Sequence, residues 1–156
     1  KLMFMTGFRT IRLGFESSDP TLQQQTGGKV RNDDLVRAIR YLKEAGYEGS
    51  EIGVYLLCGL PGQTARQVEA SIHFVQSLGA KPMLAEYSPI PGTDLWDDAC
   101  NASLYRLSAE PLCHNNPLLP CRSDSLTFSD YRRLKQLARN PSSDLTALRH
   151  RPHVLP

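Results

Sequence analysis

"EIGVYLLCGLPGQT", residues 51–64, decides the fold. From Glu51 to Gly59 the run is nearly continuously apolar, and a strand of that kind is expected to be covered on both faces, as in a parallel sheet. "LPGQ" then turns the chain into a helix. Thr64 and Gln67 stand at the T-x-x-Q spacing of a capping box, Val68, Ile72 and Val75 share a face with Leu78 nearby, and Gly79 ends the run.

Upstream, Ile11, Leu13 and Phe15 alternate with Thr10, Arg12 and Gly14, the period-two pattern of a strand. That strand stops on a carboxylate, Glu16, followed by Ser17 and Ser18. A short helix is predicted from Pro20, capped by Asp19 or Ser18 and ended by Gly27. A longer one is predicted from a cap at Asn32, with Asp33 and Asp34 in the first turn, where the helix dipole favours anions. Leu35, Ile39 and Leu42 form its apolar face, Val36, Ala38 and Ala45 support it, and Gly46 closes it. Downstream, a third strand over Met83 to Tyr87 leads into "SPIPGT".

Strand, helix, strand, helix, strand predicts an α/β fold with a parallel sheet and right-handed crossovers. Three strands alone leave two bare edges. The expected architecture is therefore part of a (β/α) TIM-type barrel, over residues 1–100, completed by an N-terminal half that the start at Lys1 leaves out. Residues 101–140 are expected to form an extension: an irregular, proline-punctuated loop over 112–125, then an amphipathic helix over 126–139 with Tyr131, Leu134, Leu137 and Ala138 inward. Residues 141–156 carry few apolar anchors and are expected to be a flexible tail.

The 156 residues are 40% hydrophobic and 22% charged, which excludes a disordered or fibrous chain. A formal net charge of +2, with the basic residues spread out, does not indicate nucleic acid. The longest apolar run, Val54 to Leu60, falls far short of the roughly 20 residues that span a bilayer. Cys58, Cys100, Cys113 and Cys121 are widely spaced and contain no C-x-x-C, so no metal site or disulfide framework is expected from them, and a reducing, cytoplasmic setting is.

In parallel α/β folds ligands gather at the carboxyl ends of the strands. The first end carries Glu16, Ser17 and Ser18. The second carries Gly59, Leu60, Pro61 and Gly62, and the third Glu86, Tyr87, Ser88, Pro89, Ile90, Pro91, Gly92 and Thr93. Glycines allow close approach to the backbone, and prolines stiffen a rim without adding donors. Such a rim suits a ligand with a flat heterocycle, a ribose and an amino-acid end.

"IRLGFESSD", "YLLCGLPGQT" and "YSPIPGTDLW", in this order and spacing, resemble the last three strands of a radical S-adenosylmethionine (radical SAM) barrel, and are similar to the subset that often carries a cobalamin-binding domain upstream. The resemblance implies an iron–sulfur enzyme that cleaves S-adenosylmethionine reductively to a 5′-deoxyadenosyl radical. Its cofactors would be S-adenosylmethionine and a [4Fe–4S] cluster, with cobalamin an additional candidate in the full-length protein. It assigns Glu16, Ser17, Lys29, Leu57, Gly59 and Pro61 to the S-adenosylmethionine side of the pocket. Glu86, Tyr87, Ser88, Pro89, Pro91, Gly92 and Thr93 fall on the substrate side, facing a small molecule of unknown identity. The C-x-x-x-C-x-x-C loop that binds the cluster in this family is absent, so its ligands are expected upstream of Lys1.

Plainer readings accompany these assignments. Glu16 can cap the following helix or pair with Arg12 or Lys29, Gly59 and Pro61 can serve only as a tight turn, and Cys58 reads as a small core residue. His73, His114, His150 and His153 read as solvated. Cys100, Cys113 and Cys121 leave an auxiliary cluster open. The competing function is a cluster-less half barrel that binds a nucleotide or a protein.

Overall fold

In the computed structural model, which describes residues 1–140, the elements run in chain order as α1 (Leu2–Met5), β1 (Ile11–Glu16), α2 (Pro20–Gln25), α3 (Asn32–Glu44), β2 (Ile52–Cys58), α4 (Ala65–Ser77), β3 (Lys81–Glu86), α5 (Trp96–Ala102) and α6 (Phe128–Arg139). The strands form one parallel sheet in the order β1-β2-β3. β1 pairs with β2 from Ile11 opposite Ile52 to Glu16 opposite Leu56, and β3 pairs with β2 from Lys81 opposite Gly53 to Glu86 opposite Cys58. The chain is thus α/β, with the strand and helix order of a partial (β/α) barrel.

Period-two alternation sends Ile52, Val54, Leu56 and Cys58 to one face of β2, where all four are buried. Phe15, Leu35, Ile39, Val68, Ile72, Val75 and Leu134 pack with them, so the helical connections and α6 share one core. Each fully buried Leu, Ile or Phe contributes about 1.5–3 kcal/mol relative to exposure. The expected T-x-x-Q box forms: Thr64 Oγ1 accepts from the Gln67 amide, and Gln67 Oε1 accepts from the Thr64 amide. Asp19 caps α2, accepting from the amides of Thr21 and Leu22.

The opposite face of β2 differs from the expectation of two covered faces. Tyr55 is 41% exposed, Leu57 is half-buried, and Arg12 and Gly14 beside them on β1 are exposed. Helices cover only the outer side of such a sheet, and the inner side is covered when further strands close the barrel. Asn32 also departs from its expected role. It is the first residue of α3, and the Arg31 amide is held instead by Asp34 Oδ2 at 3.0 Å. The third strand begins two residues earlier than expected, at Lys81, and α1 and α5 appear where no helix was expected. The expected tail, residues 141–156, lies outside the described residues.

Among the described residues no helix is long and apolar enough to cross a membrane. All four cysteines are unpaired, with Cys58 and Cys121 buried.

Candidate functional site

β1 does not end as a plain strand. Its ladder with β2 slips between Gly14 and Glu16, and Glu16 takes a φ of 71°. The Ser17 amide donates to Phe15 O at 2.9 Å across it, a γ-turn with positive φ, which is strained for any residue with a Cβ. The turn throws the Glu16 side chain to the mouth of the sheet.

There it lines a hollow of about 330 Å³ with Lys29, Leu57, Tyr87, Ser88 and Thr93. Gln25, Thr26, Gly27, Ile90, Asp94 and Leu95 complete the wall. Burial pushes the Glu16 carboxyl above its ordinary value, and the Lys29 ammonium pulls it partly back. The wall therefore offers an anion, a cation, an apolar side from Leu57 and Leu95, and hydroxyls. Ser88 Oγ donates to His114 O at 2.5 Å and Thr93 Oγ1 to Ile90 O at 2.8 Å, so both present lone pairs rather than free donors.

Seven other candidate residues do not line this hollow. Ser17 is buried and hydrogen-bonds Ser71 Oγ at 3.3 Å while accepting from the Asp19 amide at 3.1 Å. Gly59 has a φ of +94°, and Leu119 Cδ2 lies 3.3 Å from where a Cβ would sit, so the later loop fills the space beside it. Pro61 sits in the turn that buried Gln63 holds together, Gln63 Oε1 accepting from the Gly59 amide at 2.8 Å and its Nε2 donating to Leu57 O at 3.1 Å. Glu86 points to the helical side, where it accepts from Tyr131 Oη and, at 3.2 Å, from Lys135 Nζ. Pro89 is buried, whereas Pro91 and Gly92 are exposed on the rim outside the lining. The alternation of Pro82, Leu84 and Glu86 carried the signal for Glu86; the roles of Gln63 and Leu119 had none in the local pattern.

Two of the thiols, Cys58 and Cys121, are poor ligands as placed. Burial, with Glu86 nearby, pushes Cys58 up to about 12, and burial pushes Cys121 up to about 11. Among the described residues no group of three or more His, Cys, Asp or Glu side chains is placed to hold a metal ion. His114, read as solvated, donates from Nε2 to Leu107 O at 2.7 Å and packs edge-on against Trp96. A larger hollow of about 610 Å³ lies between α2 and α3, lined by Pro20, Gln24, Arg31 and Asp33 among others, and contains none of the strand-end residues.

The chain is an α/β protein with the strand and helix order of a partial barrel and a charged and apolar hollow at the carboxyl ends of its strands. The family model described as "Radical SAM superfamily" matches residues 1–75, so that segment is similar to the radical SAM superfamily. A curated protein of Pyrococcus horikoshii, named as an uncharacterized methyltransferase, is 29% identical over 100 residues, covering 64% of this chain and 21% of the relative. The chain thus spans about a fifth of the length of the relative it matches. The family's cofactors are S-adenosylmethionine and a [4Fe–4S] cluster. The donor set of the hollow suits the first, since a carboxylate, an ammonium and an apolar wall complement a nucleoside with an amino-acid end. The described cysteines do not suit the second.

Proposed function

We propose that the chain supplies one wall of the S-adenosylmethionine and substrate pocket of a radical SAM enzyme whose cluster ligands belong to another part of the full protein. The single observation that carries this reading is Glu16: a strained, half-buried carboxylate at a strand end, facing Lys29 across a hollow. Strain of that kind is kept where geometry serves a ligand.

In this reading Glu16 accepts from the ribose diol or the ammonium of the cofactor, and Lys29 neutralises its carboxylate. Leu57 packs on the adenine, while Tyr87, Ser88 and Thr93 bound the substrate side. The cluster supplies the electron for reductive cleavage; the residues here bind, orient and exclude water. Residues 1–100 would act as the barrel half and 101–140 as its cover. The exposed inner face of β2 supports a missing barrel half as the partner. Four unpaired thiols support a reducing cytoplasm. The name of the Pyrococcus relative supports methyl transfer as the reaction class, and cobalamin enters as a cofactor of the complete protein, checked by its visible spectrum after purification.

The test is Glu16→Gln in the complete protein with its cluster reconstituted. S-adenosylmethionine affinity should fall about tenfold or more, the loss of one charge-assisted hydrogen bond, with the iron–sulfur absorbance unchanged. Unchanged affinity, or loss of the cluster with normal binding, overturns the assignment.

A further inference from the structure

Two buried or half-buried amides lie behind the hollow without touching it. Gln23 is 8% exposed, and both hydrogens of its Nε2 are used: one goes to Ser17 O at 2.8 Å, the other to Asn32 Oδ1 at 2.7 Å. Asn32 Nδ2 in turn donates to Ser18 O at 3.1 Å. The two side chains form a bridge from the residues just after Glu16 to the first residue of α3. The loop that this bridge closes, between α2 and α3, is the one that carries Lys29.

We propose that Gln23 is a positioning residue that fixes Glu16 and Lys29 relative to each other. The claim rests on the reading that this pair receives the cofactor, but its geometry stands apart from it. A γ-turn with a φ of 71° at a glutamate persists only if its surroundings over-determine it. The surroundings here are Gln23 on Ser17 O, Asn32 on Ser18 O, and Ser71 Oγ accepting from the Ser18 amide at 2.9 Å. Ser71 anchors only the strand end. Gln23 holds the strand end and, through Asn32, the far end of the Lys29 loop; its backbone carbonyl also accepts from the Gly28 amide at 2.7 Å. An apolar side chain of the same length fills the space and leaves Ser17 O and Asn32 Oδ1 without their donor.

The charged groups lining the hollow around Glu16 are Lys29 and Asp94. Only Lys29 lowers the Glu16 titration, so Lys29→Met should move that titration upward. The experiment is a double-mutant cycle on the full chain, following the Glu16 side-chain carboxyl by carbon NMR across pH in wild type, Lys29→Met, Gln23→Met and the double variant. The expected result is an upward displacement from Lys29→Met in the wild-type background and its loss in the Gln23→Met background. An equal displacement in both backgrounds, or none in wild type, overturns the proposal. Were Gln23→Met to unfold, Asn32→Ala cuts the bridge from the other end and should also abolish the displacement; an undiminished one there overturns it. A general loss of stability does not erase the coupling of one pair. Cofactor affinity of Glu16→Gln judges the site reading separately: that can fail while the cycle shows Gln23 setting the pair.

Discussion

Glu16 carries two costs at once, a positive φ and partial burial of its charge. The sign of the second follows from linkage. A carboxyl whose folded value is raised above the ordinary 4.5 binds its proton more tightly in the folded chain. Well below that value both states are protonated and the group is neutral in stability. As pH rises from the ordinary to the raised value, stability falls, and the penalty stays in place above it. Glu16→Gln should therefore gain on wild type in thermal melts between about pH 3.5 and about pH 7; a gap that is constant or narrows contradicts it. Glu16 was legible in the sequence because an alternating strand stopped on a bare carboxylate. The γ-turn beneath it was not, since the slip against β2 depends on a neighbour about 40 residues away. Gly59 shows the same limit: its glycine was visible, but Leu119, which packs beside it, arrives from a loop about 60 residues later.

Elements built from local chemistry were the most legible. The α4 capping box, the Asp19 cap and the glycine stops all read directly from spacing. α6, expected from its amphipathic pattern, also starts on a T-x-x-D box: Thr127 Oγ1 accepts from the Asp130 amide at 3.1 Å, and Asp130 Oδ2 accepts from the Thr127 amide at 3.0 Å. Because α6 lays Leu134 and Ala138 on the shared core, Thr127→Ala should cost about 1 kcal/mol in urea unfolding. No loss would mean that packing alone sets the start of α6. The approach of the segments before β2 and β3 was invisible locally. A Cβ on Gly49 would lie 2.1 Å from Gly79 O, a backbone atom that cannot swing aside. Gly49→Ala should destabilise by about 1–3 kcal/mol, the range of overpacking, measured by the same unfolding curve. At Gly53 the atoms nearest a would-be Cβ are Arg12 Cδ and Met83 Sδ, both in mobile side chains, so Gly53→Ala is expected to cost less.

At the scale of the molecule, one face of the sheet is finished and the other is not. The α/β class was readable because β2 is apolar on both sides, and both sides are apolar for different reasons. Ile52, Val54, Leu56 and Cys58 meet helices of this chain, whereas Tyr55, Leu57 and Met83 face the side where a closed barrel has its interior. Periodicity reports that a side chain is apolar, not what covers it. The two faces can be told apart by mutation. In the 156-residue chain, Tyr55→Ser removes a ring that is 41% exposed and should change stability by less than about 1 kcal/mol. In a longer protein whose further strands close over β2, as proposed above, the same ring is buried, and its truncation should cost about 3–5 kcal/mol, as for other large aromatics in a core. Paired urea curves for the two lengths of protein measure this difference directly. Equal, small costs in both would mean that the inner face stays open to solvent, and the barrel-half reading of the chain would fall with it.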